Sequence, residues 1–222
     1  MAKKTHAKPK LTWKRVWHFI WHEDSWESWL VNIVLAFILI KFIVYPGLGF
    51  LLMTSHPIVA VVSGSMYHGL EDRGAVYEIC GQSYPDKAFG SSYDTWWDNC
   101  GDWYENNTNL SLDDFKKFPM SKGFSKGDII LLLGSDPNDL EVGDIIVFNK
   151  GQPYPIIHRL IDINNKGESL IFTTKGDHNS ASGSIDKGIT EDMIIGKAVL
   201  KIPFIGYVKI LAVDFLKLVH IL

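Results

Sequence analysis

Residues 58–66 read Ile-Val-Ala-Val-Val-Ser-Gly-Ser-Met, a β-branched run that ends in a serine–glycine turn. β-branched residues favour strands, whereas Ser and Gly favour turns. Later runs of the same apolar character are also bounded by Gly, Asp or Asn. They cover Ile129–Leu133, Ile145–Phe148, Ile156–Ile163 and Leu170–Thr174, with a predicted turn at Asn164-Asn165-Lys166-Gly167 between the last two. Short strands joined by such turns predict a mostly β, antiparallel domain over residues 54–201.

A long apolar segment precedes the first strand. Leu30–Met53 is 24 residues long and carries one charge, Lys41. About 20 apolar residues cross a bilayer as a helix, so residues 29–53 are predicted to form a transmembrane anchor. Pro46 and the glycines after it are expected to kink or end the helix, which predicts a helix from about Trp29 to Tyr45.

The charge distribution indicates an orientation. The formal net charge is −3, yet residues 1–22 carry six Lys and Arg and no acidic residue. Five of the eight Trp lie between Trp13 and Trp29, and Trp favours membrane interfaces. Residues 1–28 are therefore predicted to be basic and interfacial, with the N-terminus cytoplasmic, the protein in the cell membrane and the domain over residues 54–201 extracytoplasmic. A nucleic-acid-binding domain would carry basic residues on its folded surface, so no nucleic acid is expected as a partner.

Residues 75–126 interrupt the strand pattern and are predicted to be a surface insertion. They contain both cysteines, Cys80 and Cys100. Outside the cytoplasm these are expected to form a disulfide; two unpaired thiols are the alternative. The chain has no Cys/His spacing typical of zinc, so no metal site and no cofactor are expected.

The C-terminal residues 202–222 show helical periodicity. Apolar side chains recur at spacings of three and four, at Val208, Leu211, Phe215, Leu218 and Leu222. One apolar face predicts an amphipathic helix that lies on the membrane or packs on a partner helix. A second membrane span is the alternative.

Three segments carry side chains suited to hydrolysis. Ser65 stands in the serine–glycine turn, His158 stands alone in an apolar strand, and Asp177 and Asp186 stand in a Gly- and Asn-rich loop. Taken singly, they are typical of a turn serine, a core histidine and capping aspartates. Together they match a nucleophile that needs a base, and a base that needs an acid. The combination predicts a serine hydrolase.

The same segments resemble, in order, the motifs of type I signal peptidases. They are Ser63-Gly64-Ser65-Met66, Gly143–Phe148, Ile157-His158-Arg159, Lys175–Asn179, and the closing segments Gly196-Lys197 and Ile202–Gly206. The His-Arg pair is the form found in archaeal and endoplasmic-reticulum enzymes, whereas bacterial enzymes have Lys there. The resemblance runs from about Trp29 to Val208 without the insertion, and it implies an antiparallel signal-peptidase-like fold.

The resemblance also implies roles. Ser65 would be the nucleophile and His158 the general base, with the Ser63 hydroxyl and the Ser65 N–H as oxyanion hole. Asp186 is the first choice for the triad acid, although it follows Asp177 by nine residues rather than the usual six. Asp177 is then the supporting acid, or the alternative.

Two further histidines compete with His158. His68 stands where the family usually has Pro, three residues after the nucleophile, and His178 lies next to Asp177. His158 is preferred because it lies in the base motif, whereas the other two lie in loops.

These features predict a membrane-bound serine endopeptidase that removes signal peptides from secreted preproteins. The substrate would add as an extended strand beside the first strand, at Ile58, Val59, Ala60, Val61 and Val62. The expected partners are preprotein signal peptides, the lipid bilayer, and the secretion translocon or other subunits. The alternatives are an inactive relative, or a non-enzymatic membrane-tethered β domain that recruits partners. Self-cleaving repressors share the fold but use a Ser–Lys pair and lack an anchor.

Overall fold

The computed structural model describes residues 12–85, 93–167, 169–208 and 210–211. The chain forms two compact units, residues 1–50 and 51–222. The helices are α1 Trp13–His22, α2 Trp26–Leu39, α3 Tyr45–Leu51, α4 Tyr93–Asn107 and α5 Leu112–Lys117. The strands are β1 Ile58–Ala60, β2 Glu71–Asp72, β3 Tyr77–Ile79, β4 Gln82–Tyr84, β5 Ile129–Leu133, β6 Ile145–Phe148, β7 Ile156–Lys166, β8 Ser169–Lys175 and β9 Ile194–Ile202.

Helices α1 and α2 of the first unit are joined by side-chain hydrogen bonds. The Ser25 hydroxyl caps α2 by accepting from the Ser28 N–H. The Ser28 hydroxyl then donates to the Phe19 carbonyl, and the Asn32 amide donates to the Ile20 carbonyl at 2.9 Å. These bonds satisfy carbonyls at the end of α1 that have no partner within that helix.

The apolar helix is longer than predicted. It runs from Trp26 to Leu51 with a mean hydropathy of 2.2, and by length and composition it is the one described helix suited to cross a membrane. The predicted end near Tyr45 is wrong, since the helix continues through Pro46. A wider π-helical turn over Ile40–Val44, in which the Tyr45 N–H donates to the Ile40 carbonyl, precedes the proline. Such a turn accommodates a ring that cannot donate a hydrogen bond.

The second unit contains a six-stranded antiparallel sheet in the order β1-β5-β9-β6-β7-β8. The prediction of a mostly antiparallel β domain is confirmed. Strand β6 is buried at every position because its two faces pack in different clusters: Ile145 and Val147 lie in one, Ile146 and Phe148 in the other. This two-sided burial explains an apolar run without alternation.

The hairpin between β7 and β8 differs from the prediction. Asn164 pairs with Ile171 and Asn165 pairs with Leu170, so the two asparagines lie in the strand rather than in a turn. The ladder continues to Lys166 opposite Ser169, and the chain turns at Gly167, which has φ +75°. Continued backbone pairing outweighs the turn preference of the asparagines.

The described part of the insertion contains strands β3 and β4 and helices α4 and α5, and part of it is buried. Helix α5 begins with a capping box formed by Ser111 and Asp114, and Cys80 and Cys100 form a disulfide. Trp96, Tyr104 and Phe115 have no exposed surface, because their rings pack on one another. The polar composition of this segment predicted a position on the surface, but the segment contains a buried aromatic core.

The C-terminal helix is described only at its start. Residues 206–208 and 210–211 are helical, and Val208 and Leu211 are exposed. The rest of the predicted amphipathic helix, from residue 212, lies outside the described residues.

Candidate active site

The predicted nucleophile lies in a tight turn just beyond β1. The Tyr67 N–H donates to the Gly64 carbonyl at 2.9 Å and closes the turn around Ser65. The Ser63 and Ser65 hydroxyl oxygens lie 3.3 Å apart. The Ser65 carbonyl accepts a hydrogen bond from the His178 N–H at 2.8 Å, so the loop that carries Asp177 is attached directly to this turn.

His158 and Asp186 form a buried pair. His158 Nδ1 lies 2.5 Å from Asp186 Oδ1. Asp186 also accepts from the Thr174 hydroxyl at 2.8 Å and from the Gly183 N–H at 3.0 Å. A carboxylate with three donors is an acceptor only, so Nδ1 carries a hydrogen; in the neutral imidazole the lone pair is then on Nε2. This tautomer is the one that a general base requires.

The surroundings keep Asp186 ionised. Burial by itself raises the pKa of this carboxyl, but the hydrogen bond and charge of His158, together with the bonds from Thr174 and Gly183, outweigh it and hold the pKa below its usual range. An ionised carboxylate bonded to an imidazole is the arrangement that stabilises an imidazolium in general base catalysis.

Asp177 has a different set of partners. The Arg159 guanidinium donates to it through Nε at 3.0 Å and through Nη2 at 2.8 Å, and His68 Nε2 lies 2.8 Å from Oδ2. Burial opposes ionisation of Asp177, but the charge of Arg159 and the bond to His68 hold its pKa far below the usual range. Burial also lowers the pKa of His68, against the opposing influence of Asp177.

Strand geometry separates these two acids. His158 and Arg159 are neighbours on β7, so their side chains point to opposite faces. His158 therefore meets Asp186, and Arg159 meets Asp177. The nine-residue spacing between the acids left their roles open in the sequence, and in the structure the two acids have different partners.

Gly176 lies against both Ser65 and His158. A Cβ at this position would lie 2.8 Å from His158 Nε2 and 2.8 Å from the Ser65 carbonyl oxygen. Any side chain would push the loop away. In this structure Ser65 Oγ bonds to Ser63 rather than to His158; without substrate, catalytic hydrogen bonds are often long or unformed.

An open groove joins most of the predicted site residues. Ser63, Ser65, His158, His178 and Asp186 line it, together with Val62. The buried residues Asp177 and His68 do not. The His178 ring donates from Nδ1 to the Tyr67 carbonyl at 2.9 Å, and its Nε2 lies 3.8 Å from Glu71 Oε2. Of the two competing histidines, His178 lines the groove and His68 does not, and the His178 ring is within ion-pair distance of Glu71.

The predicted substrate strand is an edge strand. Ile58, Val59 and Ala60 pair with β5 on one side, and the described residues add no strand on the other. Val61 is buried and bonds to Asp128, whereas Val62 is 62% exposed beside the groove. Unpaired backbone groups along β1 are the feature that strand addition needs.

Sequence reasoning missed the residues that support Asp177 from the insertion. Trp96 Nε1 donates to the Asp177 carbonyl at 3.3 Å, and the Tyr104 hydroxyl donates to Oδ1 at 3.4 Å. Buried Lys175, whose pKa burial lowers to about 8, donates to the Tyr104 oxygen at 3.3 Å. The one available signal was the high aromatic content of the insertion. Among the described residues, no group of three or more His, Cys, Asp or Glu is arranged to hold a metal ion.

The chain is similar to fungal proteins named signal peptidase complex catalytic subunit SEC11. Over 99 residues it is 35% identical to that of Pyricularia oryzae, 36% to that of Metarhizium acridum and 38% to that of Sclerotinia sclerotiorum. Each match covers 41% of this chain and 58% of the relative, so the chain spans less than two thirds of the curated relatives it matches. No family model matches it. The relatives confirm the resemblance to signal peptidases that the motifs predicted.

Proposed function

We propose that this chain is a membrane-anchored serine endopeptidase that removes signal peptides from secreted preproteins. The observation that carries the proposal is the His158–Asp186 pair, which opens into the same groove as Ser65. The similarity to catalytic subunits of a signal peptidase complex supports the same activity. It gives no support to a purely binding role.

The chemistry follows from these groups. His158 Nε2 takes the proton of Ser65 as its oxygen attacks the carbonyl carbon of the scissile peptide bond, and Asp186 stabilises the imidazolium. His158 then gives the proton to the leaving amine, and an acyl-enzyme ester remains on Ser65. Water, deprotonated by the same imidazole, hydrolyses the ester and restores the serine. Asp177 acts as the supporting acid, which holds the loop beside Ser65.

The oxyanion hole is proposed to consist of the Ser63 hydroxyl and the Ser65 N–H. The two serine oxygens lie 3.3 Å apart, so a hydroxyl proton of Ser63 can reach a charge that develops next to Ser65. Removal of one such donor costs about 10²–10³ in kcat. Ser63→Ala is therefore expected to be impaired but not inactive.

The substrate is proposed to add as a strand along Ile58–Val62. Backbone pairing at the free edge of β1 would bind sequences of many kinds, and shallow apolar pockets would admit small side chains before the cut. The exposed side chain of Val62 beside the groove supports a site at the end of that strand.

The anchor and the disulfide support a location. Helix Trp26–Leu51 is proposed to cross the membrane with the basic N-terminus in the cytoplasm and the catalytic domain outside it. A disulfide between Cys80 and Cys100 is typical of an oxidising compartment. Preprotein signal peptides, the bilayer, and a translocon or other subunits are the proposed partners.

The test is cleavage of a secretory preprotein by the purified protein in detergent and in lipid. We expect cleavage after an Ala-x-Ala-type site by the parent, and none by Ser65→Ala or His158→Ala. His178→Ala is the matched control, since it removes the other histidine of the groove, and its loss should be far smaller. Cleavage that survives Ser65→Ala would refute the mechanism. A folded parent that binds signal peptides without cutting them would favour the binding role.

A further inference from the structure

We propose that Trp96 and His68 are positioning residues for Ser65, and that the disulfide-bonded helix α4 holds them in place. The proposal rests on the proposed peptidase function. It adds to that function residues outside the motifs that this chain shares with signal peptidases.

The loop of residues 176–178 touches both proposed reacting groups. The His178 N–H donates to the Ser65 carbonyl at 2.8 Å, and Gly176 leaves no room for a Cβ between that carbonyl and His158 Nε2. A shift of this loop would therefore change the position of Ser65 relative to His158. Whatever fixes the loop also fixes the alignment of nucleophile and base.

Asp177, in the middle of this loop, is held from two sides. Arg159 binds it from the sheet, through two nitrogens at 3.0 and 2.8 Å. From the other side, His68 Nε2 bonds to the carboxylate at 2.8 Å and the Trp96 indole donates to the backbone carbonyl at 3.3 Å. The second set fixes both the side chain and the backbone of Asp177.

Trp96 also fixes the orientation of His68. The two rings are stacked with centroids 3.8 Å apart and planes 2° from parallel. Trp96 is fully buried and His68 is 7% exposed. An imidazole stacked in this way cannot rotate its Nε2 away from Asp177 without moving the indole.

The disulfide attaches helix α4 at this point. Cys100 follows Trp96 by four residues, so both side chains lie on one face of the helix. Cys100 is bonded to Cys80, whose sulfur lies 3.5 Å from the Asp177 carbonyl oxygen. The insertion therefore contacts the loop of residues 176–178 through the Trp96 indole and through the disulfide.

The expected effect is on turnover rather than on substrate binding. A displacement of about 1 Å in a catalytic group can reduce the rate by about 10²-fold. The edge of β1, where the substrate is proposed to bind, is not part of the contacts described. Loss of the Trp96 ring should therefore lower kcat by at least about tenfold and leave KM nearly unchanged.

The experiment compares Trp96→Leu with Trp97→Leu. Each removes one indole from the same aromatic cluster, and both rings pack on Tyr104 and Phe115. It is the Trp96 indole that donates to the Asp177 carbonyl and stacks on His68. A second pair is His68→Ala and His68→Gln, since the glutamine amide can still donate to Asp177. Near-UV circular dichroism and the melting temperature identify folded variants. Initial rates of preprotein cleavage give kcat and KM, with Ser65→Ala as the blank.

The proposal is supported if kcat falls for Trp96→Leu and His68→Ala but not for Trp97→Leu, with partial recovery in His68→Gln. It is overturned if the two tryptophan variants lose activity equally or if Trp96→Leu keeps the parent kcat. If the parent cleaves no preprotein, the proposed function fails. The imidazole NMR signals of His158 then decide the positioning role: a displacement in Trp96→Leu alone supports it, and unchanged signals overturn it.

Discussion

The His158–Asp186 pair and the His68–Asp177 pair have similar geometry, with nitrogen–oxygen distances of 2.5 and 2.8 Å, but different surroundings. Asp177 is fully buried and forms an ion pair with Arg159. Asp186, within the described residues, has no Lys or Arg in ion-pair contact, and its histidine lines the groove. The difference teaches that a histidine–aspartate pair is suited to proton transfer only where the acid is not already neutralised and the imidazole is accessible.

Replacement of the acid in the groove should have the largest effect. Asp186→Asn removes the charge that favours the imidazolium and the acceptor that fixes the His158 tautomer, so the cleavage rate should fall by about 10⁴-fold. Initial rates at saturating preprotein measure it. Asp162→Asn, at an exposed acid of β7, is the control. A loss below about tenfold would mean that Asp186 is not the triad acid.

The same replacement in the buried pair should act on stability. Asp177→Asn removes the carboxylate that forms an ion pair with the buried Arg159 guanidinium, and breaking a buried ion pair costs about 3–5 kcal/mol in the free energy of unfolding. Because the pKa of Asp177 is lowered in the folded state, its contribution is fully present above about pH 4 and is lost as the pH falls further. Urea unfolding at several pH values should show both effects. Equal destabilisation by Asp177→Asn and Asp186→Asn would remove the distinction between the pairs.

The disulfide supports the buried pair and should have the next largest effect. It joins cysteines 20 residues apart, and a loop of that length predicts a loss of about 3 kcal/mol when both are replaced by Ala. The free energy of unfolding of Cys80→Ala/Cys100→Ala, compared with that of the parent before and after reduction, measures the loss. A double variant as stable as the oxidised parent would show that the aromatic cluster alone holds α4.

Lys175 should have the smallest effect. Burial lowers its pKa to about 8, although the charges of Asp177 and Asp186 oppose the shift, whereas an unfolded chain has a Lys pKa of about 10.4. Between these values the unfolded state binds more protons, so the stability of the parent should rise with pH, by at most about 1.4 kcal/mol per pH unit, relative to Lys175→Met. Unfolding titrations from pH 7 to 10 test this. A constant difference would show that folding does not lower the pKa of Lys175.

Several parts of this molecule could be predicted from sequence because their causes are local. The runs at Ile129–Leu133 and Ile145–Phe148 match β5 and β6 at both ends, since each is a short apolar run that follows a Gly-Asp pair. The end of the apolar helix could not be predicted in this way. Pro46 breaks a regular helix, but a wider turn before it keeps the helix continuous.

The insertion was the least predictable region. Its Trp, Tyr, Asp and Asn residues have no clear period, so nothing in the sequence distinguished buried aromatic rings from exposed ones. Trp96, Tyr104 and Phe115 are buried because helices α4 and α5 bring them together and the disulfide closes the segment. Such contacts depend on residues far apart in the chain, which a local pattern does not record.

The sequence by itself determined the class of domain, the apolar helix and the set of candidate side chains, because strand propensity, hydropathy and motif order are properties of neighbouring residues. Only the tertiary structure decided which acid meets which base. His158 and Arg159 are adjacent in sequence, but the pleat of β7 directs them to opposite faces, toward Asp186 and Asp177 respectively. The partner of a side chain is set by the direction in which a strand presents it, and that direction has meaning only once the sheet and the loops around it are folded.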